Sequence, residues 1–277
     1  MDTLQQEAVD QQQAAESWDA AQLIKWGLER FGSTLGIASS FGAEDVVLVE
    51  LAARAGIPYR VFTLDTDFLF PETYTLIDST EKKYGIHIER ARPLLTPDEQ
   101  VAKHGEALWS REPNLCCSIR KVEPLKKSLS GFQAWITGIR RDQTPQRANA
   151  KKVDWDAGFG LVKINPLADW TSDQVWDFIR ENEIPYNALH DNHYPSIGCT
   201  YCTVSYTHLD VYKRQEPCRK FRSATRSGGS SAVAPCAAAV AGARSMMAMA
   251  ASANATKSNL RVPILIFMCS CLRQTRW

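Results

Sequence analysis

The chain has 277 residues, enough for one large domain or two small ones. Its hydrophobic content of 44% and charged content of 23% are ordinary for a soluble globular protein. No signal peptide is visible at the start, and the best apolar run, at residues 262–268, is too short to span a bilayer. We therefore expect a cytoplasmic protein without a membrane partner, in which cysteine thiols stay reduced.

The net charge of +1 hides a division within the chain. Residues 1–203 carry 21 Lys and Arg against 29 Asp and Glu, whereas residues 216–277 carry 9 against 1. A switch of this kind usually marks a boundary. Because the larger part is acidic, a nucleic-acid partner is not expected.

Predicted strands and helices alternate along residues 17–203, which favours an α/β fold with a parallel sheet and covered faces. Ser17 is the expected cap of the first helix, which ends near Gly32. Thr171 forms a capping box with Gln174 and begins the last helix. The predicted strands are residues 34–38, 59–64, 86–88, 133–137 and 161–164. The helices between the early strands are residues 46–55 and 71–84.

Polar loops follow three of these strands. Residues 39–45 lead from a strand into a helix, which presents backbone N–H groups to a phosphate-like anion, but they lack the ending of a Walker motif. Asp65 and Asp67 follow the second strand, and residues 138–147 carry three arginines whose forked guanidinium groups suit phosphate or sulfate. Ligands of parallel sheets bind beyond the strand carboxyl ends, where these loops would lie. Taken singly, each loop is also compatible with an ordinary turn, a polar helix entry or a solvated surface.

Two cysteine pairs stand far apart in the chain, Cys116 with Cys117 and Cys199 with Cys202. A disulfide between adjacent cysteines is strained, so four thiolates for a metal or an iron–sulfur cluster are the favoured interpretation. The neighbouring Arg120 and Lys121 would lower the cost of burying such an anionic group. Zinc is the main alternative, although adjacent cysteines fit the spaced pairs of structural zinc poorly. Four buried thiols that act as small hydrophobes are the remaining one.

Four motifs follow one another within residues 17–203. They are Cys-Cys-x-x-Arg-Lys-Val-Glu-Pro-Leu at 116–125, Gly-Ile-Arg-Arg-Asp-Gln at 138–143, Asn-Pro-Leu-Ala-Asp-Trp at 165–170 and Tyr-Pro-Ser-Ile-Gly-Cys-x-x-Cys-Thr at 194–203. Their sequences and their order resemble the assimilatory adenylyl-sulfate reductases, iron–sulfur-containing members of the phosphoadenylyl-sulfate reductase family.

The resemblance implies an adenine-nucleotide α-hydrolase-like (Rossmann-like) α/β fold. It implies a [4Fe-4S] cluster on Cys116, Cys117, Cys199 and Cys202, with Lys121 tuning the charges of cluster and substrate. It also implies a set of substrate-binding residues in the three loops. These are Ser39, Ser40, Phe41, Gly42, Asp45, Leu64, Asp65, Thr66, Arg140, Arg141, Gln143 and Arg147. The implied partners are adenylyl sulfate, thioredoxin or glutaredoxin as electron donor, and further copies of the chain in a homotetramer.

The implied reaction is the thioredoxin-dependent reduction of adenylyl sulfate to sulfite and AMP in assimilatory sulfate reduction. A thiolate attacks the sulfate sulfur and expels AMP, which leaves a cysteine S-sulfonate that a dithiol protein resolves. In the family this nucleophile lies in a C-terminal Glu-Cys-Gly-Leu-His segment, which is absent here. None of the remaining cysteines has those neighbours; they are Cys218, Cys236, Cys269 and Cys271. The catalytic residue is therefore unknown, and we expect the chain as written to be inactive.

Three alternatives remain at this stage. 3′-Phosphoadenylyl sulfate is the second possible substrate, although reductases that use it typically lack the four cysteines. A fragment that binds nucleotide and cluster without catalysis is another. An ATP pyrophosphatase-type adenylating enzyme is disfavoured, because residues 39–45 lack the Ser-Gly-Gly-x-Asp-Ser loop of those enzymes.

Residues 204–215 break the pattern. The family places an arginine after the Cys-x-x-Cys-Thr motif, where this sequence has Val204. The stretch can be encoded by two largely inverted DNA copies that look like joined transposon ends from sequencing libraries, and the tail beyond it has Glu216 as its only acid. We therefore predict a nucleotide- and cluster-binding domain at residues 1–203, an artefactual junction at 204–215 and an unrelated or out-of-frame, disordered tail at 216–277. A genuine basic tail for an acidic partner is the alternative.

Overall fold

The computed structural model describes residues 3–203. The predictions made for residues 204–277, including the junction and the four cysteines of the tail, lie outside the described residues. Within residues 3–203, no helix is both long and apolar enough to cross a membrane.

Six strands form a single sheet. They are β1 (Leu35–Ala38), β2 (Arg60–Leu64), β3 (Ile88–Ala91), β4 (Ala134–Ile136), β5 (Val153–Asp156) and β6 (Leu161–Ile164). Their order is β3-β2-β1-β4-β6-β5. The first five strands in this order run parallel, and β5 pairs antiparallel with β6 at the edge. The predicted parallel sheet is confirmed, with an antiparallel edge strand that the sequence did not indicate.

Both faces of the sheet are covered. Val61 and Ile136 enter one core, whereas their chain neighbours Phe62 and Trp135 enter a second core on the opposite face, because successive strand side chains point to opposite faces. The helices that surround the sheet are α1 (Thr3–Ala15), α2 (Ala20–Phe31), α3 (Ala43–Arg54), α4 (Pro71–Tyr84), α5 (Pro97–His104), α6 (Leu108–Arg111), α7 (Pro113–Cys117), α8 (Glu123–Leu129) and α9 (Ser172–Glu181).

The position of β1 in the sheet determines where a ligand fits. β1 lies between β2 and β4, so the chain leaves β1 toward one side of the sheet and later returns to β4 on its other side. Such a reversal opens a crevice at the carboxyl ends of the two strands. The loops after β1 and β4 border this crevice, and the loop after β2 lies next to it.

Several predicted element ends differ from the structure. Asp19 rather than Ser17 caps α2, because its carboxylate accepts from the amide of Gln22 in a capping box. The third strand begins at Ile88 rather than residue 86, since Gly85 ends α4 in the left-handed conformation and the next residue still belongs to that cap. The capping box predicted at Thr171 is confirmed. Helix α1, helices α5 to α8 and strand β5 were not predicted.

Candidate substrate and cofactor site

The loop between β1 and α3 closes on itself around the start of the helix. Ser40 donates from its amide and its hydroxyl to Oδ2 of Asp45 at 2.6 and 2.7 Å. The amide of Phe41 donates to the hydroxyl of Ser39 at 3.2 Å, and Phe41 is buried with a positive φ of 60°. Gly42 is the N-cap of α3. The predicted residues of this loop therefore form one compact turn at the helix N-terminus.

Asp45 is the buried charge of this turn. Burial raises its pKa to about 6, against the hydrogen bonds from Ser40, which favour the carboxylate. The loop after β4 approaches it closely, since a Cβ atom at Gly138 would lie 2.5 Å from Oδ1 of Asp45. Glycine at this position therefore allows the two loops to meet.

Most of the predicted arginine loop gathers around one carboxylate, Glu44, at the start of α3. Arg140, which is buried, donates from Nε to Oε1 of Glu44 at 2.9 Å and from Nη1 to Asp142 at 2.5 Å. Gln143 donates to the same Oε1 at 3.0 Å. Arg147 donates to the side-chain oxygen of Gln143. The structure thus brings Arg140, Gln143 and Arg147 together beside the crevice.

Arg141 is placed elsewhere. Its Nη2 donates to Glu16 at 2.6 Å and its Nε donates to the carbonyl of Ala150 at 2.8 Å. Burial acts to raise the pKa of Glu16, but hydrogen bonds from Arg141 and Lys152 outweigh it and lower that pKa. Arg141 therefore ties the loop to the segment after α1 and is not brought together with Arg140.

The loop after β2 is organised by Asp65, which follows Leu64. Asp65 is almost fully buried and accepts from the hydroxyl of Tyr74 at 2.7 Å and from Nε of Arg92 at 3.2 Å. Thr66, the next predicted site residue, is equally buried, and its hydroxyl lies 3.3 Å from the sulfur of Cys199. This loop therefore contacts the cysteines directly.

All four predicted cysteines line one cavity, which opens to solvent. Among the described residues they are reduced thiols. The other residues that line the cavity are Phe68, Trp109, Pro113, Arg120, Lys121 and Tyr201. As the side chains stand within residues 3–203, no three His, Cys, Asp or Glu groups form a ready-made metal-ion site.

Local structure brings each cysteine pair to the cavity. Cys116 and Cys117 end α7, and the helix continues through one π-helical stretch, Ser118–Val122, before α8. Such turns are rare and are frequent at functional sites. Cys199 forms an antiparallel backbone bridge with Leu69 in the loop after β2, and the amide of Cys202 donates to the carbonyl of Cys199 at 3.0 Å. The second pair is therefore held against the loop after β2.

Arg120 connects the first pair to that loop. Its guanidinium is 1% exposed, donates from Nη1 to Asp67 at 2.9 Å and to the carbonyl of Thr66 at 3.2 Å, and donates from Nε to Gln100 at 2.8 Å. Its Nη2 is buried without a hydrogen-bond partner within residues 3–203. A buried cation with an unused donor is costly unless an anion is close.

The donor set fits the iron–sulfur cluster that the resemblance implies. Burial and the neighbouring Cys199 raise the pKa of both Cys116 and Cys202, while Lys121 opposes this shift at Cys202. The thiols are therefore close to one another and to a cation. Four thiols, the unused Nη2 of Arg120 and the nearby Lys121 give both the ligands and the positive charge that a thiolate-bound cluster requires.

A family model described as the phosphoadenosine phosphosulfate reductase domain matches residues 34–205. The chain belongs to this family. One relative is the adenosine 5′-phosphosulfate reductase of Halalkalibacterium halodurans, which is 46% identical over 192 residues. The match covers 69% of this chain and 83% of the relative. Adenosine 5′-phosphosulfate reductase 2 of Bacillus subtilis is 47% identical over 187 residues, 67% of this chain and 79% of the relative.

The fold agrees with that membership. The solved structure of phosphoadenylyl-sulfate reductase from Candida auris, in complex with phosphate, superposes with a TM-score of 0.65 at 28% identity. The match covers 72% of this chain and 97% of the Candida auris chain.

Sequence reasoning missed the residues that hold the site together. Glu44 and Glu16, which bind the two arginines, were not singled out, and neither was the aromatic side chain of Tyr201 beside the second cysteine pair. The acids carry no motif of their own. Tyr201 lies between the predicted ligands Cys199 and Cys202 in the sequence. This position was the one signal that could have pointed to it as a site residue.

Proposed function

We propose that residues 1–203 are the nucleotide- and cluster-binding domain of an assimilatory reductase that converts adenylyl sulfate into sulfite and AMP. One observation carries the proposal: the loop after β2, a candidate nucleotide site, contacts the four-cysteine cavity on two sides. Thr66 lies 3.3 Å from the sulfur of Cys199, and Asp67 accepts from Arg120 at 2.9 Å. The reductases named above as relatives support the same substrate.

The residues divide into two groups by role. Ser39, Ser40, Phe41, Gly42, Asp45, Leu64, Asp65 and Thr66 would form the nucleotide crevice at the strand ends. Arg140, Gln143 and Arg147 would face the phosphosulfate, and a substrate anion would compete with Glu44 for the donors of Arg140 and Gln143. Arg141 would bind substrate only after leaving Glu16. Its expected role at the phosphosulfate stays a prediction.

Cys116, Cys117, Cys199 and Cys202 would hold a [4Fe-4S] cluster, with Lys121 and Arg120 balancing its charge. When bound, the cluster would supply a centre of charge at the four-cysteine cavity. Sulfonate transfer itself requires a cysteine thiolate, which forms a bond to the sulfate sulfur as the bond from sulfur to the AMP oxygen breaks. A dithiol protein such as thioredoxin or glutaredoxin then supplies two electrons, releases sulfite and becomes a disulfide.

Purification without oxygen tests the cofactor. The protein should be brown and contain about four irons per chain, and Cys117→Ser should lose the colour. A colourless protein with one zinc per chain would contradict the cluster.

Binding and turnover test the substrate. Calorimetry should detect adenylyl sulfate binding more tightly than 3′-phosphoadenylyl sulfate. Because the family's nucleophile segment is absent, sulfite release from adenylyl sulfate in the presence of thioredoxin should be undetectable for this chain. Release of pyrophosphate from ATP would point instead to an adenylating enzyme. A cytoplasmic homotetramer is part of the proposal, and ultracentrifugation tests the oligomer.

A further inference from the structure

An aromatic stack joins the segments that carry the two cysteine pairs. The rings of Trp109 and Tyr201 lie parallel, with centroids 4.7 Å apart and an angle of 7° between their planes. Phe68 meets Tyr201 edge-on at 5.1 Å. All three rings line the four-cysteine cavity, and Tyr201 is 45% exposed.

The three rings come from three separate parts of the chain. Trp109 lies in α6, just before the first cysteine pair, and Tyr201 lies inside the second pair. Phe68 belongs to the loop after β2, where its carbonyl accepts from the amide of Thr200 at 2.8 Å and its ring lies 4.4 Å from the guanidinium carbon of Arg120. The two cysteine-bearing segments both contact the loop after β2. The stack of Trp109 on Tyr201 is a further, direct contact between them.

Two physical consequences follow from the stack. Aromatic pairs contribute stabilisation beyond the area they bury, so this one favours the arrangement in which the two pairs face each other. The apolar shell around a metal group controls solvent access to it. An exposed ring backed by a parallel ring therefore separates the thiols from bulk water on this side of the cavity.

We propose that Trp109 and Tyr201 form the outer wall of the four-cysteine cavity. The wall keeps the cysteine pairs facing each other and limits the access of water, oxidants and chelators to the group held there. The inference rests on the proposed function only for the identity of the group that the cysteines hold. The shielding of the thiols by the wall does not depend on which group that is.

The first test uses the iron-loaded protein. Tyr201→Ala should lose its visible absorbance in air, and in the presence of a chelator, about three- to tenfold faster than the unmodified chain. Tyr201→Phe keeps the ring and should stay within about twofold. Tyr186→Ala removes a tyrosine of similar exposure that does not line the cavity, and should leave the rate unchanged.

A double-mutant cycle separates the stack from the two rings as such. Each variant is described by the factor by which it speeds the loss of visible absorbance. If Trp109 and Tyr201 act through each other, the factor for Trp109→Ala/Tyr201→Ala should be well below the product of the factors for the two single variants. Multiplicative effects, or equal bleaching rates in Tyr201→Ala and the unmodified chain, would overturn the proposal.

The second test uses the metal-free protein and applies even if Tyr201→Ala takes up no iron. Alkylation by iodoacetamide, followed by mass spectrometry, should modify Cys117 and Cys202 faster in Tyr201→Ala than in Tyr201→Phe. Equal alkylation rates would show that the wall does not shield the thiols. An unmodified chain that binds no iron–sulfur group would instead overturn the proposed cofactor, and alkylation would still decide the wall.

Discussion

The burial of Asp45 makes the free energy of unfolding depend on pH. The pKa of Asp45 rises from 3.8 to about 6 on folding because the side chain leaves water. A group whose pKa is raised in the folded state stabilises the protein below its unfolded pKa, and this contribution is lost as the pH rises through the folded value. The ionised carboxylate therefore costs the folded state up to about 3 kcal/mol above pH 6.

We predict that Asp45→Asn removes this loss. The amide oxygen can still accept from Ser40, so the variant should become more stable than the unmodified chain by about 1–3 kcal/mol at pH 8, and the gain should vanish near pH 4. Urea unfolding between pH 4 and 8 measures the difference, with Asp78→Asn as the control because that side chain is 70% exposed. A gain that does not change with pH would contradict the assignment.

Arg140 presents the opposite case, a buried cation with carboxylates around it. Removing it leaves Glu44 and Asp142 without their main partner, and breaking a buried pair from one side is strongly destabilising. Arg140→Ala should lower the free energy of unfolding by about 2–4 kcal/mol. Arg180→Ala breaks an exposed pair with Asp177 and should cost less than about 1 kcal/mol. Similar losses in the two variants would mean that Arg140 is not effectively buried.

At the scale of elements, the site depends on how closely the loops after β1 and β4 approach. A methyl group at Gly138 would lie 2.5 Å from Oδ1 of Asp45 and 2.9 Å from Cβ of Glu44. Asp45 cannot move aside, because Ser40 holds it with two hydrogen bonds inside the protein. The two loops would therefore have to separate.

We predict that Gly138→Ala lowers the free energy of unfolding by about 1–3 kcal/mol and weakens adenylyl-sulfate binding, because overpacking forces the backbone to shift. Gly131→Ala is the matched control, since the nearest heavy atom to its added methyl group, the carbonyl oxygen of Ser128, lies at 4.0 Å. Urea unfolding and calorimetry on both variants measure the two effects. Unchanged binding in Gly138→Ala would remove the loop contact from the candidate site.

At the scale of the whole molecule, the proposed domain boundary lies at residue 203. Caps, turns and strand patterns agree with one another up to that point, as expected for a selected sequence. Beyond it, acidic residues almost vanish. We predict that limited proteolysis of the full chain leaves a core that ends near residue 203 and still binds nucleotide. A resistant product that extends beyond residue 215, or sulfonate trapped on a cysteine of the tail, would contradict the boundary.

The sequence by itself determined the family, the parallel sheet and the identity of the candidate ligands. Each depends on local order: an apolar run becomes a strand, Thr171 with Gln174 starts a helix, and Cys116-Cys117 stands next to Arg120 and Lys121. Signals of this kind are complete within a few residues. The polar helix α1 and the mixed strand β5 carry weak signals, and β5 is held by pairing with β6 and by contact with α1, which no local pattern reveals.

Only the tertiary structure decided which groups meet. Arg140 and Arg141 are neighbours in the sequence, yet one binds Glu44 and the other Glu16, because Arg140 is extended and the chain turns into a short 3₁₀ helix at Arg141. Trp109 and Tyr201 became a stack only because the loop after β2 holds both cysteine-bearing segments. Partners far apart in sequence are chosen by the path of the chain through space, and that path depends on the packing of the whole domain.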